Sequence, residues 1–230
     1  MRRLLVTFSI LALASGGFGQ VPLVSVAGQP FSADEVIIQN FKPNVHSVSP
    51  SMKTIRVYRD SAGRTREDFS IPRDPIATPF VNIIDPHAGV SYSLDTEKKI
   101  VRRLLYPKPW TPPVNPPEGV VIMQSSKGIC NFQTTSEPLG SQVIEGMVAE
   151  GKRIASVLLT PNPGCDENKA VNENWYSPEL KMILLEKTSN SLWDGTTRLE
   201  HINREEPDSR LFQPPSDYTI VELHWNEPVK

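Results

Sequence analysis

The side chains of this 230-residue chain best suited to nucleophilic, acid–base or metal chemistry are four histidines and two cysteines: His46, His87, His201, His224, Cys130 and Cys165. No two histidines stand at the i, i+4 spacing that places paired imidazoles on one helix face. The chain also has no HExxH, CxxC, GxSxG, Walker loop or GxGxxG pattern. Those absences point away from a catalytic centre, a resident metal and a cofactor. Asp85 and His87 share a turn and could form an acid–base or metal pair, but a turn imidazole open to solvent is the simpler reading. Glu200 and His201, like Glu67 and Asp68, fall on opposite faces of strands, which argues against joint action. Gly164-Cys165-Asp166 sets an acid beside the thiol and opposes thiolate formation. An even cysteine pair in an exported chain instead favours a Cys130–Cys165 disulfide. It would close a loop of 34 intervening residues, worth about 4 kcal/mol in the chain-entropy model.

Export is read from the first residues, MRRLLVTFSILALASGGFGQ. Arg2 and Arg3 precede an apolar run of 11 residues, Leu4–Ala14, and then small residues that suit cleavage. This is the pattern of a signal peptide over 1–19, too short to span a bilayer. No later apolar segment reaches the length of a span. Residues 20–230 are expected to form one β domain, not membrane-spanning, in the periplasm or outside the cell. Loss of two arginines takes the formal charge from −2 to −4, which gives no support to a nucleic-acid partner.

The elements that must carry these residues read as strands. Ile83–Leu105 is a meander: Asp85-Pro86-His87-Ala88-Gly89 turns the chain, then Val90, Tyr92 and Leu94 alternate with Ser91, Ser93 and Asp95. Thr54–Arg59 and Arg64–Ile71 form a hairpin about Asp60-Ser61-Ala62-Gly63. Tyr106–Gly119 holds six prolines and reads as an extended connector at 106–119. Val36–Ile38 suits an edge strand, with a short helix capped at Ser32–Glu35 as the alternative, and further strands are expected at Gln142–Glu145 and Met147–Ala149. A turn at Glu150-Gly151-Lys152 then leads to Arg153–Thr160, followed by Asn174–Tyr176, Leu180–Lys187, Thr196–Asn203 and Tyr218–Trp225. With no sustained 3.6-residue periodicity, the fold class is all-β. About ten to twelve antiparallel strands make a strongly curved sheet or open half-barrel that must hide its edges. Val57, Phe69, Ile71, Val90, Tyr92 and Leu94 are expected on its inner face, as ordinary core or as the wall of a cavity for a hydrophobic ligand.

Three stretches carry a family likeness. Ile83–Asp85 with Val90–Asp95 and Lys99–Arg103 resembles the central meander of periplasmic lipoprotein carriers of the outer-membrane lipoprotein-sorting type. Leu211-Phe212-Gln213-Pro214-Pro215 before Tyr218–Val221 resembles their closing segment, and Trp175-Tyr176-Ser177-Pro178-Glu179-Leu180 the entry to their late hairpins. Val57–Arg66 and Trp175–Leu180 are also similar to phrases of a set of uncharacterised secreted bacterial proteins. The likeness spans Thr54–Leu105 and Gly140–Glu222, and it lacks the carriers' early helix and contains a foreign proline-rich insert. It implies a non-enzymatic envelope protein that binds an acyl chain, a lipid or a lipidated protein on the concave face. The alternative is a protein-interaction or sensor module with a partner in the envelope.

Overall fold

The structure is a computed structural model that describes residues 25–43, 50–69, 79–106, 119–125, 128–159 and 170–223. Thirteen strands lie in one curved, unclosed sheet. The first six are β1 (Phe31–Phe41), β2 (Ser51–Arg59), β3 (Thr65–Phe69), β4 (Phe80–Asp85), β5 (Val90–Asp95) and β6 (Ile100–Leu105). They are followed by β7 (Gly119–Ser125), β8 (Gly128–Ile144), β9 (Met147–Leu158), β10 (Ala170–Ser177), β11 (Met182–Ser189), β12 (Trp193–Asn203) and β13 (Thr219–Leu223). In space they run β13-β6-β5-β4-β3-β2-β1-β12-β11-β10-β9-β8-β7. The first strand is therefore the centre of the sheet. One wing is built outward from it, the other inward from the far edge, and β12 returns to pair with β1. All pairings are antiparallel except β13 on β6.

That topology requires curvature. β6 and β7 are eleven strand steps apart, about 53 Å across a flat sheet at ~4.8 Å per step. The chain from Tyr106 to Gly119 can reach at most about 45 Å even fully extended. A flat sheet could not be threaded. The expected proline-rich connector joins these two strands, but residues 107–118 lie outside the described ones, as do residues 1–24, which include the expected signal peptide at 1–19.

Curling lets residues from both wings share one core. Phe31, Ala33 and Ile37 of β1, Ile55 and Val57 of β2, and Phe69 of β3 pack with Met147 and Ala149 of β9, Met182 and Leu184 of β11, Leu180 and Leu199. Arg59, fully buried, staples the curl. It donates to Gln29 O at 2.8 Å and to Leu180 O at 2.5 Å, and its guanidinium lies 4.9 Å from the Phe31 ring centre. Burial, with Arg204 nearby, lowers its pKa to about 10.

The opposite face carries a second core of Val81, Ile83, Leu94 and Val101, with Tyr58 and Tyr92 against it. It is covered by the chain that leaves β12. This strap, residues 204–218, includes a 3-10 turn at Ser209–Phe212 that buries Phe212 in the second core, and it ends as β13. Arg66 Nη1 donates to Leu211 O at 2.8 Å, the Arg64 guanidinium sits 5.1 Å from the Phe212 ring centre, and Ser61 hydrogen-bonds Glu206.

Two expectations are corrected. The six inward residues do not form one wall. Asp68 pairs with Val81 and Val81 with Leu94, whereas Phe69 pairs with Phe80. Val57 and Phe69 therefore face the first core, and Val90, Tyr92 and Leu94 face the other side. The residue count between β3 and β4 sets this parity, and a one-residue slip exchanges the faces. Ile71 lies outside the described residues. Gly151, expected in a turn, sits inside the continuous strand β9. A Cβ there would come within 2.6 Å of the Trp175 ring, so the bare backbone accommodates the indole.

Candidate functional site

Where β1, β12, β11 and β10 lie side by side, the pairing register sets two rows of side chains. Ile37, Thr197, Glu186 and Asn174 form one row, and Gln39, Gly195, Thr188 and Asn172 the next. Between them lies a tight crevice walled by Ile37, Trp193, Gly195, Glu186 and Thr197, with no room for a water molecule between its walls. It exists because Trp193 folds its ring along the strand over Gly195. A Cβ at Gly195 would lie 2.1 Å from Trp193 Cζ3, so glycine is what lets the indole lie flat.

The polar groups beside this wall are mainly acceptors. Burial raises the Glu186 carboxyl above the ordinary carboxylate range, and the hydrogen bond from Asn172 Nδ2, at 2.6 Å, opposes that shift in part. Asn172 Oδ1 and Asn174 Oδ1 are both buried and accept no hydrogen bond among the described residues. On the opposite face of β12, Lys42 Nζ lies 3.4 Å from Asp194, which also accepts from Ser189 Oγ at 2.5 Å. An apolar floor of isoleucine and tryptophan with a few convergent polar groups is the usual make-up of a small-molecule site. The crevice is closed where such sites usually begin at roughly 300 Å³, and it opens only if the Trp193 ring swings off Gly195.

A second polar cluster lies across β2, β1 and β12. Arg56 Nη1 donates to Asp34 Oδ1 at 3.0 Å and Arg56 Nη2 to Ser32 Oγ at 2.9 Å, while His201 Nδ1 lies 3.0 Å from Asp34 Oδ2. The register shifts between Ser32 and Asp34, and His201 adopts φ 55°, a left-handed conformation. Its own N–H donates to Glu145 Oε2 at 3.0 Å, and Glu145, in the β8–β9 turn, is left-handed too, at φ 48°. Partial burial would raise the Asp34 pKa, but the hydrogen bonds from Arg56 and then His201 outweigh it and hold the carboxyl below its usual range. Period-2 alternation missed this cluster because it assumes an unbroken strand, and the kink at His201 breaks it. The imidazole is largely exposed, and among the described residues its hydrogen-bond partner is Asp34. The pair is a carboxylate-oriented histidine with no nucleophile attached.

Of the other expected positions, Asp85 uses its carboxylate to accept from Ala88 N at 2.8 Å, closing the turn that leaves His87 exposed. His46, His224 and Cys165 lie outside the described residues, as does the side chain of Cys130. Among the described residues no group of three or more His, Cys, Asp or Glu could hold a metal ion, and no helix is long and apolar enough to cross a membrane.

No family model matches the chain and no curated protein matches it. Solved structures do. A domain described as an outer membrane lipoprotein-sorting protein, from Vibrio parahaemolyticus, is 11% identical with a TM-score of 0.35, over 80% of this chain and 89% of that one. A LolA superfamily protein from Nitrosomonas europaea is 5% identical with a TM-score of 0.33, over 80% of this chain and 90% of that one.

Proposed function

We propose that this chain is an exported, non-enzymatic binding protein of the bacterial envelope, and that it takes an apolar ligand at the Trp193 cleft. The observation that carries the reading is the cleft's construction, an indole laid over Gly195 beside Ile37, with Glu186 and Asn172 next to it. As the crevice stands it is closed, so in this reading an acyl tail or a single apolar group enters as the Trp193 ring swings off Gly195. Val57 and Phe69, 2% and 6% exposed, share the first core with Ile37 and back the cleft in this reading, whereas Leu94 belongs to the second core on the other face.

The test is uptake of a fluorescent fatty acid by protein expressed in the periplasm, paired with native mass spectrometry of the purified chain. Co-purifying lipid, or saturable uptake that Trp193→Ala weakens about tenfold or more, supports the reading. A chain that carries no lipid and takes up no probe sinks it.

A further inference from the structure

The strap after β12 is attached to the sheet as a separable piece. β13 sits at one end of the strand order, as the only parallel strand among the described residues, and four of its five residues are exposed. Its charged pins are ion pairs at the surface, Lys99 Nζ to Asp217 Oδ2 at 2.7 Å and Arg103 Nη2 to Glu222 Oε1 at 2.5 Å, and hydrogen bonds from Thr219 N to Lys99 O, Arg66 to Leu211 O and Ser61 to Glu206 accompany them and must re-form on exchange. Exposed pairs of this kind hold weakly. The apolar anchor is Phe212, 2% exposed, with Leu211 and Tyr218 partly buried beside it. The lead-in Glu205-Glu206-Pro207-Asp208 is not in a strand, and its three acids are exposed. The seat is different in kind: Val81, Ile83, Leu94 and Val101 are 0–7% exposed and would be bare without the strap. A second copy of the chain carries the one segment certain to fit that seat, with matching register on β6, a matching phenylalanine and complementary charges.

We propose that the strap, residues 204–223, is exchangeable, and that its seat on β6 and the Val81–Val101 face takes the strap of a second copy, giving a reciprocally swapped dimer. The hinge is the acidic Glu205–Asp208 lead-in. The swap replaces each intramolecular contact by the same contact between chains, so the cost of exchange is low. Lost orientational freedom then favours the monomer at low concentration and the dimer at high.

The test uses two full-length variants with opposite charge changes at exposed positions, so that the cores are untouched. One carries Lys99→Asp and Arg103→Glu in the seat; the other carries Asp217→Lys and Glu222→Arg in the strap. Each alone sets like charges against one another, whether as monomer or as homodimer. Only a swapped heterodimer restores opposite charges at both seats. The expected result, after mixing at high concentration and confirming both folds by circular dichroism, is a 1:1 dimer by native mass spectrometry, about tenfold more abundant than dimer of either variant alone. Phe212→Ala placed in the strap variant should lower that yield. Masses that stay monomeric in the mixture, or a dimer fraction equal in the mixture and in the separate chains, would overturn the proposal.

Discussion

Asp34 stands between the Arg56 guanidinium on one neighbouring strand and the His201 imidazole on the other, and their hydrogen bonds hold its carboxyl below its usual range. A depressed carboxylate stabilises the fold above its unfolded value of 3.8, and that stability is lost as pH falls through the lower folded value. Asp34→Asn removes the term. The variant should lose about 1 kcal/mol or less at neutral pH, because the cluster is partly exposed. Its denaturation midpoint should then fall less steeply than the parent's as pH drops below 3.8, read from urea melts on that acid limb. An acid limb as steep as the parent's would rule out Asp34 as the titrating group. The three residues that meet here stand far apart in the sequence. Nothing in the local pattern around His201 announces that its backbone leaves the strand conformation, so alternation assigns it to a face and misses its neighbour.

Between strands, glycine determines where the large aromatics rest. Gly195 and Gly151 lie in strands, without the left-handed backbone that commonly demands glycine, and each has an indole where a methyl would be. Gly195→Ala should push Trp193 off β12, with an overpacking cost of about 1–3 kcal/mol, a red-shifted tryptophan emission and weaker ligand uptake. Gly140→Ala is the contrast. Its φ of 82° strains any side chain, but nothing lies within 4 Å, so it should cost about 1–2 kcal/mol and leave emission unchanged. Equal spectra for the two variants would refute the account of the cleft. Strand positions were largely legible in the residues. The hairpin at Asp60–Gly63 and the turn after Asp85 stand where Gly and Pro chemistry puts them. The reading failed at Gly151, since a lone glycine signals a turn and a close ring contact equally well.

For the whole molecule, the short connector between β6 and β7 forces the sheet to curl, and the curl brings β9 and β11 onto β1 and β2. The expected Cys130–Cys165 bridge belongs to this scale. Alkylation without reduction should add no label, and prior reduction should add two. Reduction should also cost about 4 kcal/mol by the loop-closure estimate, measured as a shift in the urea midpoint. Two labels on the unreduced chain would exclude the bridge.

Composition, strand alternation and turn residues, all local properties, were enough to establish an all-β chain of many short strands. They could also indicate a curved sheet, because so many strands need their edges managed. Which side of that sheet each strand shows was beyond them. The parity of β4 against β3 depends on how the chain crosses residues 70–79, and this parity sent Val57 and Phe69 to one core and Tyr92 and Leu94 to the other. The covering of the second core by Phe212, the meeting of Asp34 with His201, and the Trp193 cleft are likewise long-range. Each depends on strands that pair across more than a hundred residues, a register that only the assembled sheet specifies.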